Sequence, residues 1–209
     1  MYARSTTLMT NPGSMDEAIA YMSDEVWPAM RDMDGCVGLS MMCDRETGRY
    51  IVTSAWEDRQ AMRASDRNVR PMREQMVDRF GVGAGEPEIQ EWEIAVMHRE
   101  QATGSGAWCR VTWARTDPDR VDRVLELYLD DLMPRIQQMP GFCSLSLLVD
   151  RDSGRAVGTV VLESRSVLEQ TRERARETRE RAVRTMDLDI LDVAEFELAL
   201  AHLRVPETA

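Results

Sequence analysis

The chain has 209 residues and a formal net charge of −11, from 37 Asp and Glu against 26 basic residues, every one an arginine. An acidic chain repels phosphate backbones, which argues against a nucleic-acid partner. No window approaches the roughly 18 apolar residues of a membrane helix, the N-terminus has no apolar signal core, and the four cysteines form no C-x-x-C or metal spacing, so the composition reads as a soluble cytoplasmic protein with reduced thiols and no membrane partner.

The chain contains itself twice. Shifted by 106 positions, residues 2–80 fall on 108–186 without a gap. After a two-residue deletion Glu91-Trp92-Glu93-Ile94 meets Glu195-Phe196-Glu197-Leu198, and His98 meets His202. A repeat of this length is a small domain rather than a solenoid unit. The expected division is a first repeat over 1–98, a linker over 99–107, a second repeat over 108–204 and a tail over 205–209.

Each repeat reads strand, helix, strand, strand, helix, strand. The first strand is expected over 2–10 and 108–116. Asn11-Pro12 and Asp117-Pro118 then open a helix, the first residue as cap and the proline in the first turn. Met15, Ile19, Met22, Val26 and Met30, and in the second copy Val121, Leu125, Tyr128, Leu132 and Ile136, recur at helical spacing and predict one buried stripe per helix. Pro28 and Pro134 should kink or tighten the last turn, and Gly35 and Gly141 end the segment.

A hairpin follows, turning at Arg45-Glu46-Thr47-Gly48 and Arg151-Asp152-Ser153-Gly154. Gly in the last position suits a type I turn closed by a left-handed residue. Pairing Asp44 with Arg49 sets Leu39 against Ser54, Ser40 against Thr53 and Met41 against Val52, with Val37 against Trp56. The same register sets Leu145 against Val160 and Ser146 against Thr159. The second helix is expected over 58–79 and 164–185, with Pro71 breaking the first copy and an Arg/Glu-rich solvated face on the second. Gly81-Val82-Gly83-Ala84-Gly85 reads as a flexible loop and not a phosphate loop, since no strand immediately precedes it. The last strands are expected over 88–98 and 192–202. Twelve of the 15 methionines precede residue 100, which predicts a softer core in the first repeat.

A βαββαβ order is the ferredoxin-like arrangement. Within it, Pro-x-Met-x-x-Met-x-Gly-x-Val-Gly-Leu at 28–39, the Asp-x-Glu-Thr-Gly-Arg turn, and Ser54-Ala55-Trp56-Glu57-Asp58 before Ala61-Met62 resemble the antibiotic biosynthesis monooxygenase-type domain of the dimeric α/β barrel superfamily. The resemblance implies an α+β fold, two ferredoxin-like repeats forming a pseudo-dimeric α/β barrel, with one chain making what relatives build from two subunits. It also implies a small-molecule-binding barrel whose partner is a small hydrophobic or aromatic metabolite. One reading is a cofactor-free monooxygenase acting on an aromatic or polyketide-like metabolite; the other is a non-catalytic barrel for ligand storage or assembly. A homo-oligomer stays open. Haem-degrading relatives use an Asn on the first strand and a His on the second helix, and this sequence has neither, so no cofactor is expected. His98 and His202 lack metal-ligand spacing and read as structural, and Trp56 reads as core.

Strand alternation is expected to turn ten polar residues toward a lumen: Arg4, Thr6, Ser40, Thr53 and Glu93 from the first repeat, and Arg110, Thr112, Ser146, Thr159 and Glu197 from the second. On this assignment Arg4 pairs with Glu93 and Arg110 with Glu197 across neighbouring strands, over an apolar floor of Leu8, Met42, Ile51, Leu148 and Val157. The ten are ligand-binding candidates, an arginine supplying positive charge to an enolate or phenolate and a glutamate acting as base. They read equally as polar groups that satisfy one another between two sheets.

Overall fold

The computed structural model describes residues 1–81, 86–101, 103 and 106–207. The loop expected over 81–85 lies outside the described residues beyond Gly81, as do Gly104 and Ser105 of the expected linker.

The first repeat runs β1 (Tyr2–Met9), α1 (Met15–Tyr21), α2 (Trp27–Met30), β2 (Cys36–Cys43), β3 (Arg49–Trp56), α3 (Arg59–Ala64), α4 (Asp66–Phe80) and β4 (Glu88–Arg99). The second runs β5 (Trp108–Arg115), α5 (Val121–Leu127), α6 (Met133–Gln137), β6 (Phe142–Asp150), β7 (Arg155–Leu162), α7 (Arg165–Gln170), α8 (Arg172–Met186) and β8 (Asp189–Leu203). The chain is therefore α+β with two ferredoxin-like βαββαβ repeats. The strands hydrogen-bond in the order β1-β3-β2-β8-β5-β7-β6-β4, which closes on itself as an eight-stranded barrel order.

Two compact units divide within the last strands. Unit one is Met1–Trp92 with Glu197–Val205, and unit two is Glu93–Phe196 with Pro206–Ala209. In unit one the end of β8 pairs with β2, Met41 opposite Leu200. In unit two the end of β4 pairs with β6, Met97 opposite Ser146. Each long strand thus ends in the sheet of the other repeat.

Both hairpins carry the expected register: Leu39 lies opposite Ser54, Ser40 opposite Thr53 and Met41 opposite Val52, and Leu145 lies opposite Val160 and Ser146 opposite Thr159. Trp56 instead faces Cys36, because a bulge between Cys36 and Gly38 inserts a residue before the expected Val37 pairing. Gly48 has φ 78°, and a Cβ there would lie 2.0 Å from the Thr10 carbonyl oxygen. The turn therefore needs glycine twice over, for the left-handed backbone and for the close approach.

The first helix of each repeat answers its proline with a π-turn. Pro28 has no N–H to give the carbonyl four residues back. The backbone widens over Met22–Val26, and the Trp27 N–H reaches back five residues to the Met22 carbonyl. The second copy does the same over Tyr128–Leu132, from Met133 to Tyr128. The second helix breaks in both copies, but not at Pro71, which lies inside α4. The breaks fall at Ser65 and Thr171, whose hydroxyls donate to the carbonyls of Met62 and Leu168 at 2.8 and 2.9 Å. A hydroxyl that bonds its own preceding turn competes with the helical ladder, so a β-hydroxyl side chain, not the proline, marks the break.

Each unit has its own core between helices and sheet. In unit one Met15, Met22, Met30, Leu39, Met41, Tyr50, Trp56, Met62 and Met76 pack together. In unit two Tyr128, Leu132, Ile136, Leu145, Leu147, Leu162, Leu168 and Met186 do. Trp56 is fully buried, and its indole N–H donates to the Ser54 hydroxyl at 3.0 Å, as its core assignment expects.

Candidate functional site

The second repeat holds a cavity of about 120 Å³ between its sheet and its helices. Thr112 and Ala114 of β5, Leu147 and Val149 of β6, and Gly158 of β7 form part of its floor, and Tyr128, Ala175 and Ala182 come from the helices above. The corresponding space in the first repeat is about 50 Å³ and takes Arg4, Thr6, Leu8, Met22, Val52, Val69, Met72, Arg73 and Met76. The two sites are the same place in two copies of one domain.

The repeat offset explains the difference in volume. Leu8 becomes Ala114, Tyr50 becomes Ala156, Val52 becomes Gly158, Val69 becomes Ala175, Met72 becomes Thr178 and Met76 becomes Ala182. Each exchange withdraws side-chain atoms from the space between sheet and helices. Met22 to Tyr128 and Val26 to Leu132 return some of that volume from the first helix. The first repeat fills its interior with methionine, which adapts to irregular gaps; the second leaves room.

One end of each cavity is an arginine. Arg110 is 4% exposed. Its Nη2 donates to the Leu168 carbonyl at 2.7 Å and to Glu195 Oε1 at 2.9 Å, and its Nη1 donates to the Thr171 hydroxyl at 3.4 Å. Arg172 holds the other oxygen of Glu195 at 2.6 Å. Arg4 repeats the pattern, donating to the Met62 carbonyl at 3.0 Å and to Glu91 at 3.3 Å, with Asp66 at 3.6 Å. The helix break thus places the carbonyl of Met62 or Leu168 where the buried arginine can use it.

These contacts revise the strand faces. The expectation that Arg4, Thr6, Arg110 and Thr112 look away from the helices is wrong: all four line the helix-covered cavities. The expected ion pairs are also displaced by two residues. Arg4 pairs with Glu91 rather than Glu93, and Arg110 with Glu195 rather than Glu197. Glu93 instead takes Arg151, and Glu197 takes Arg45, each from a hairpin turn. The partner face carries Trp92, whose indole N–H donates to the Ser5 hydroxyl at 2.9 Å. Because Ser5 lies opposite Thr53 and Ser40 opposite Thr53, Ser40 and Thr53 belong to the face away from the helices. Ser146 and Thr159 occupy the equivalent places. The ten candidates therefore separate into cavity residues (Arg4, Thr6, Arg110, Thr112), opposite-face hydroxyls (Ser40, Thr53, Ser146, Thr159) and turn-gripping carboxylates (Glu93, Glu197). The apolar floor divides too, Leu8 lining the first cavity.

Two residues missed by strand reasoning matter more. Glu195 anchors the arginine end, and Arg179 of α8 lines the cavity. Burial pushes the Glu195 carboxyl up, but hydrogen bonds from Arg172 and Arg110 overcome it and hold the group below its ordinary 4.5. A depressed carboxylate stabilises the fold fully above its unfolded value and loses that contribution as pH falls through its folded value. Glu195→Gln is therefore expected to be less stable than the parent at pH 7, with the gap narrowing as pH drops below about 4.5. Urea midpoints from pH 7 to pH 3 check this; a gap that stays constant would contradict it.

The histidines are engaged elsewhere. His98 stacks on Phe142, with Gln137 at 2.8 Å from Nε2 and Glu207 at 3.3 Å from Nδ1. His202 stacks on Trp27 with centroids 4.9 Å apart. Cys43, Cys109 and Cys143 are buried, Cys36 is half-buried, and burial pushes the Cys43 thiol up to about 12. Among the described residues no group of three His, Cys, Asp or Glu side chains could hold a metal ion. No helix of the described residues is long and apolar enough to cross a membrane.

The family model Antibiotic biosynthesis monooxygenase matches residues 1–70, within the first repeat, and the second repeat has the same βαββαβ order. Two proteins of Mycobacterium tuberculosis strain H37Rv resemble nearly the whole chain. Uncharacterized protein Rv2557 is 45% identical over 207 residues, covering 99% of this chain and 91% of its own length. Uncharacterized protein Rv2558 is 46% identical over 208 residues, covering 99% and 87%. The chain belongs to one family with these mycobacterial proteins. Among solved structures, an anthrone oxidase-like protein superposes with a TM-score of 0.68 at 12% identity, over 100% of this chain and 95% of that one. At that identity the likeness speaks for the fold alone.

Proposed function

We propose that this protein is a monooxygenase-type, small-molecule-binding protein whose site is the cavity of the second repeat, and that it takes a small aromatic or polyketide-like metabolite. The observation that carries the reading is the set of large-to-small exchanges that widen this cavity in the second repeat relative to the first. A core that served packing alone would be filled, because interiors close-pack and empty space costs stability. The volume also bounds the ligand. An engineered apolar cavity of roughly 150 Å³ accepts benzene, so about one aromatic ring fits inside, and a larger ligand must leave its remainder at the rim formed by Arg115 and Arg155.

Gly158→Val tests this. Gly158 sits in a strand, has ordinary backbone φ, and a Cβ built there meets only the Leu147 side chain, at 3.9 Å. Val stands at the equivalent place in the first repeat. The variant should be more stable by about 0.5–1 kcal/mol, since glycine weakens a strand interior. It should also lose binding of single-ring aromatics measured by calorimetry. Retained binding would place the site elsewhere.

The second reading, ligand storage without catalysis, is favoured by one feature. Among the described residues no carboxylate or imidazole lines the cavity, so no side chain described there is a ready general base. Oxygen uptake in the presence of a bound aromatic separates the two.

A further inference from the structure

The charge at the arginine end differs between the repeats. In the first, Arg4 and Arg73 meet two carboxylates: Glu91 on Arg4, and Asp66 at 3.6 Å from Arg4 and 3.5 Å from Arg73. In the second, the residue equivalent to Asp66 is Arg172. Arg110 and Arg172 share the single carboxylate Glu195. Arg179, the equivalent of Arg73, is half-buried on the cavity wall and makes no hydrogen bond or ion pair among the described residues. One exchange, Asp66 to Arg172, thus takes away the carboxylate that Arg73 has in the first repeat, while Arg63 to Glu169 offsets its charge further out, so the local difference is that Arg179 has no carboxylate beside it.

A partly desolvated guanidinium without a counter-ion is costly unless something anionic completes it. Burial and the neighbouring Arg110 push the Arg179 guanidinium down, and the more distant charges of Glu195 and Glu180 offset this only in part. The apolar walls cannot supply the anion, and Glu195 is already held by two arginines.

We infer that the second-repeat cavity takes a ligand with an apolar ring and an anionic group, a carboxylate or an ionised phenol or enol, and that Arg179 receives that group. The inference rests on the proposal that this cavity is the ligand site. It also resolves the missing base: a ligand that arrives ionised needs no side chain to deprotonate it. Arg110 is a positioning residue, holding Glu195 and the break between α7 and α8, and leaves Arg179 as the free donor.

The test uses the full chain and two probes of nearly equal size, benzoate and benzyl alcohol, titrated by calorimetry. The parent should bind benzoate about tenfold or more tighter, the scale of a charge-assisted hydrogen bond. Arg179→Leu should remove that preference and keep benzyl alcohol binding, with a melting temperature no lower than the parent's, since an unpartnered cation has been removed. Arg73→Leu in the first repeat should leave both affinities unchanged. If the parent binds both probes equally, or if Arg115→Leu at the rim rather than Arg179→Leu abolishes the preference, the inference is overturned while the cavity stands as the site. If Gly158→Val leaves benzoate binding intact, the site assignment itself fails, and the inference with it.

Discussion

Glu195→Leu lowers the unfolding free energy by about 3–5 kcal/mol, the cost of leaving a buried charge without its partner. Two arginines, Arg110 and Arg172, bond this one carboxylate, which is 22% exposed. Without it, Arg110 keeps the Leu168 carbonyl and the Thr171 hydroxyl, which are neutral acceptors and cannot balance the charge. Arg110→Met alone costs less, because Glu195 retains Arg172. The double variant Arg110→Met with Glu195→Leu recovers much of the loss, since well-packed apolar side chains often replace a buried pair without penalty. Urea unfolding of the four proteins gives the coupling energy. The equivalent Glu91→Leu is milder, because Asp66 still stands 3.6 Å from Arg4. Equal losses at Glu91 and Glu195, or no coupling between Arg110 and Glu195, would contradict the account of the charge imbalance.

Much of the fold was legible because it rests on local rules. The duplication, the capped helix starts, the glycine-closed turns and the hairpin register each follow from residue types at fixed spacing. Where the reading failed, a local rule met a competing one. Pro71 was expected to break its helix, but six residues earlier Ser65, and at the equivalent place Thr171, supply a side-chain donor that competes for the preceding turn's carbonyl, so the break falls there. The strand faces failed for a different reason. Arginine was assigned to the face away from the helices because helices usually cover apolar side chains. The carbonyls at the breaks, together with Glu91 and Glu195, make a buried arginine tolerable beneath the helices, and strand periodicity carries no information about that. The two-residue displacement of each ion pair is a separate matter of register: Glu91 and Glu93 share a face, as do Glu195 and Glu197, and alternation alone does not say which of them stands beside the arginine.

The site was legible in principle but not by the comparison that finds symmetry. Matching Arg4 with Arg110 and Thr6 with Thr112 emphasises what the repeats share. The informative positions are those where they differ: Leu8 against Ala114, Met76 against Ala182, Asp66 against Arg172. Read as volume and charge, these differences say that one copy keeps a filled interior whose second arginine, Arg73, has a carboxylate, and the other an open one whose Arg179 has none. A single site in a duplicated chain needs such an asymmetry, and the unmatched residues carry it.

Tyr50→Ala tests the filled half of that asymmetry. Tyr50 is fully buried in unit one, opposite Leu8 on one side and Cys43 on the other. Its counterpart Ala156 lies between Ala114 and Val149 on the floor of the open cavity. Carrying alanine back into the first repeat removes an aromatic ring from a core that has no compensating side chain, and is expected to cost about 3–5 kcal/mol. Tyr50→Phe should act in the opposite sense. The Tyr50 hydroxyl has no hydrogen-bond partner among the described residues, and burial alone pushes the phenol up. An orphaned buried hydroxyl costs about 1–3 kcal/mol, so removing it while keeping the ring should raise stability by about 1 kcal/mol. The reverse exchange in the second repeat, Ala156→Phe, should fill the open cavity and displace single-ring aromatics without a loss of comparable size. Were Tyr50→Ala to cost under about 1 kcal/mol, the first repeat would not be the tightly packed copy, and the volume argument for a single site would lose its control.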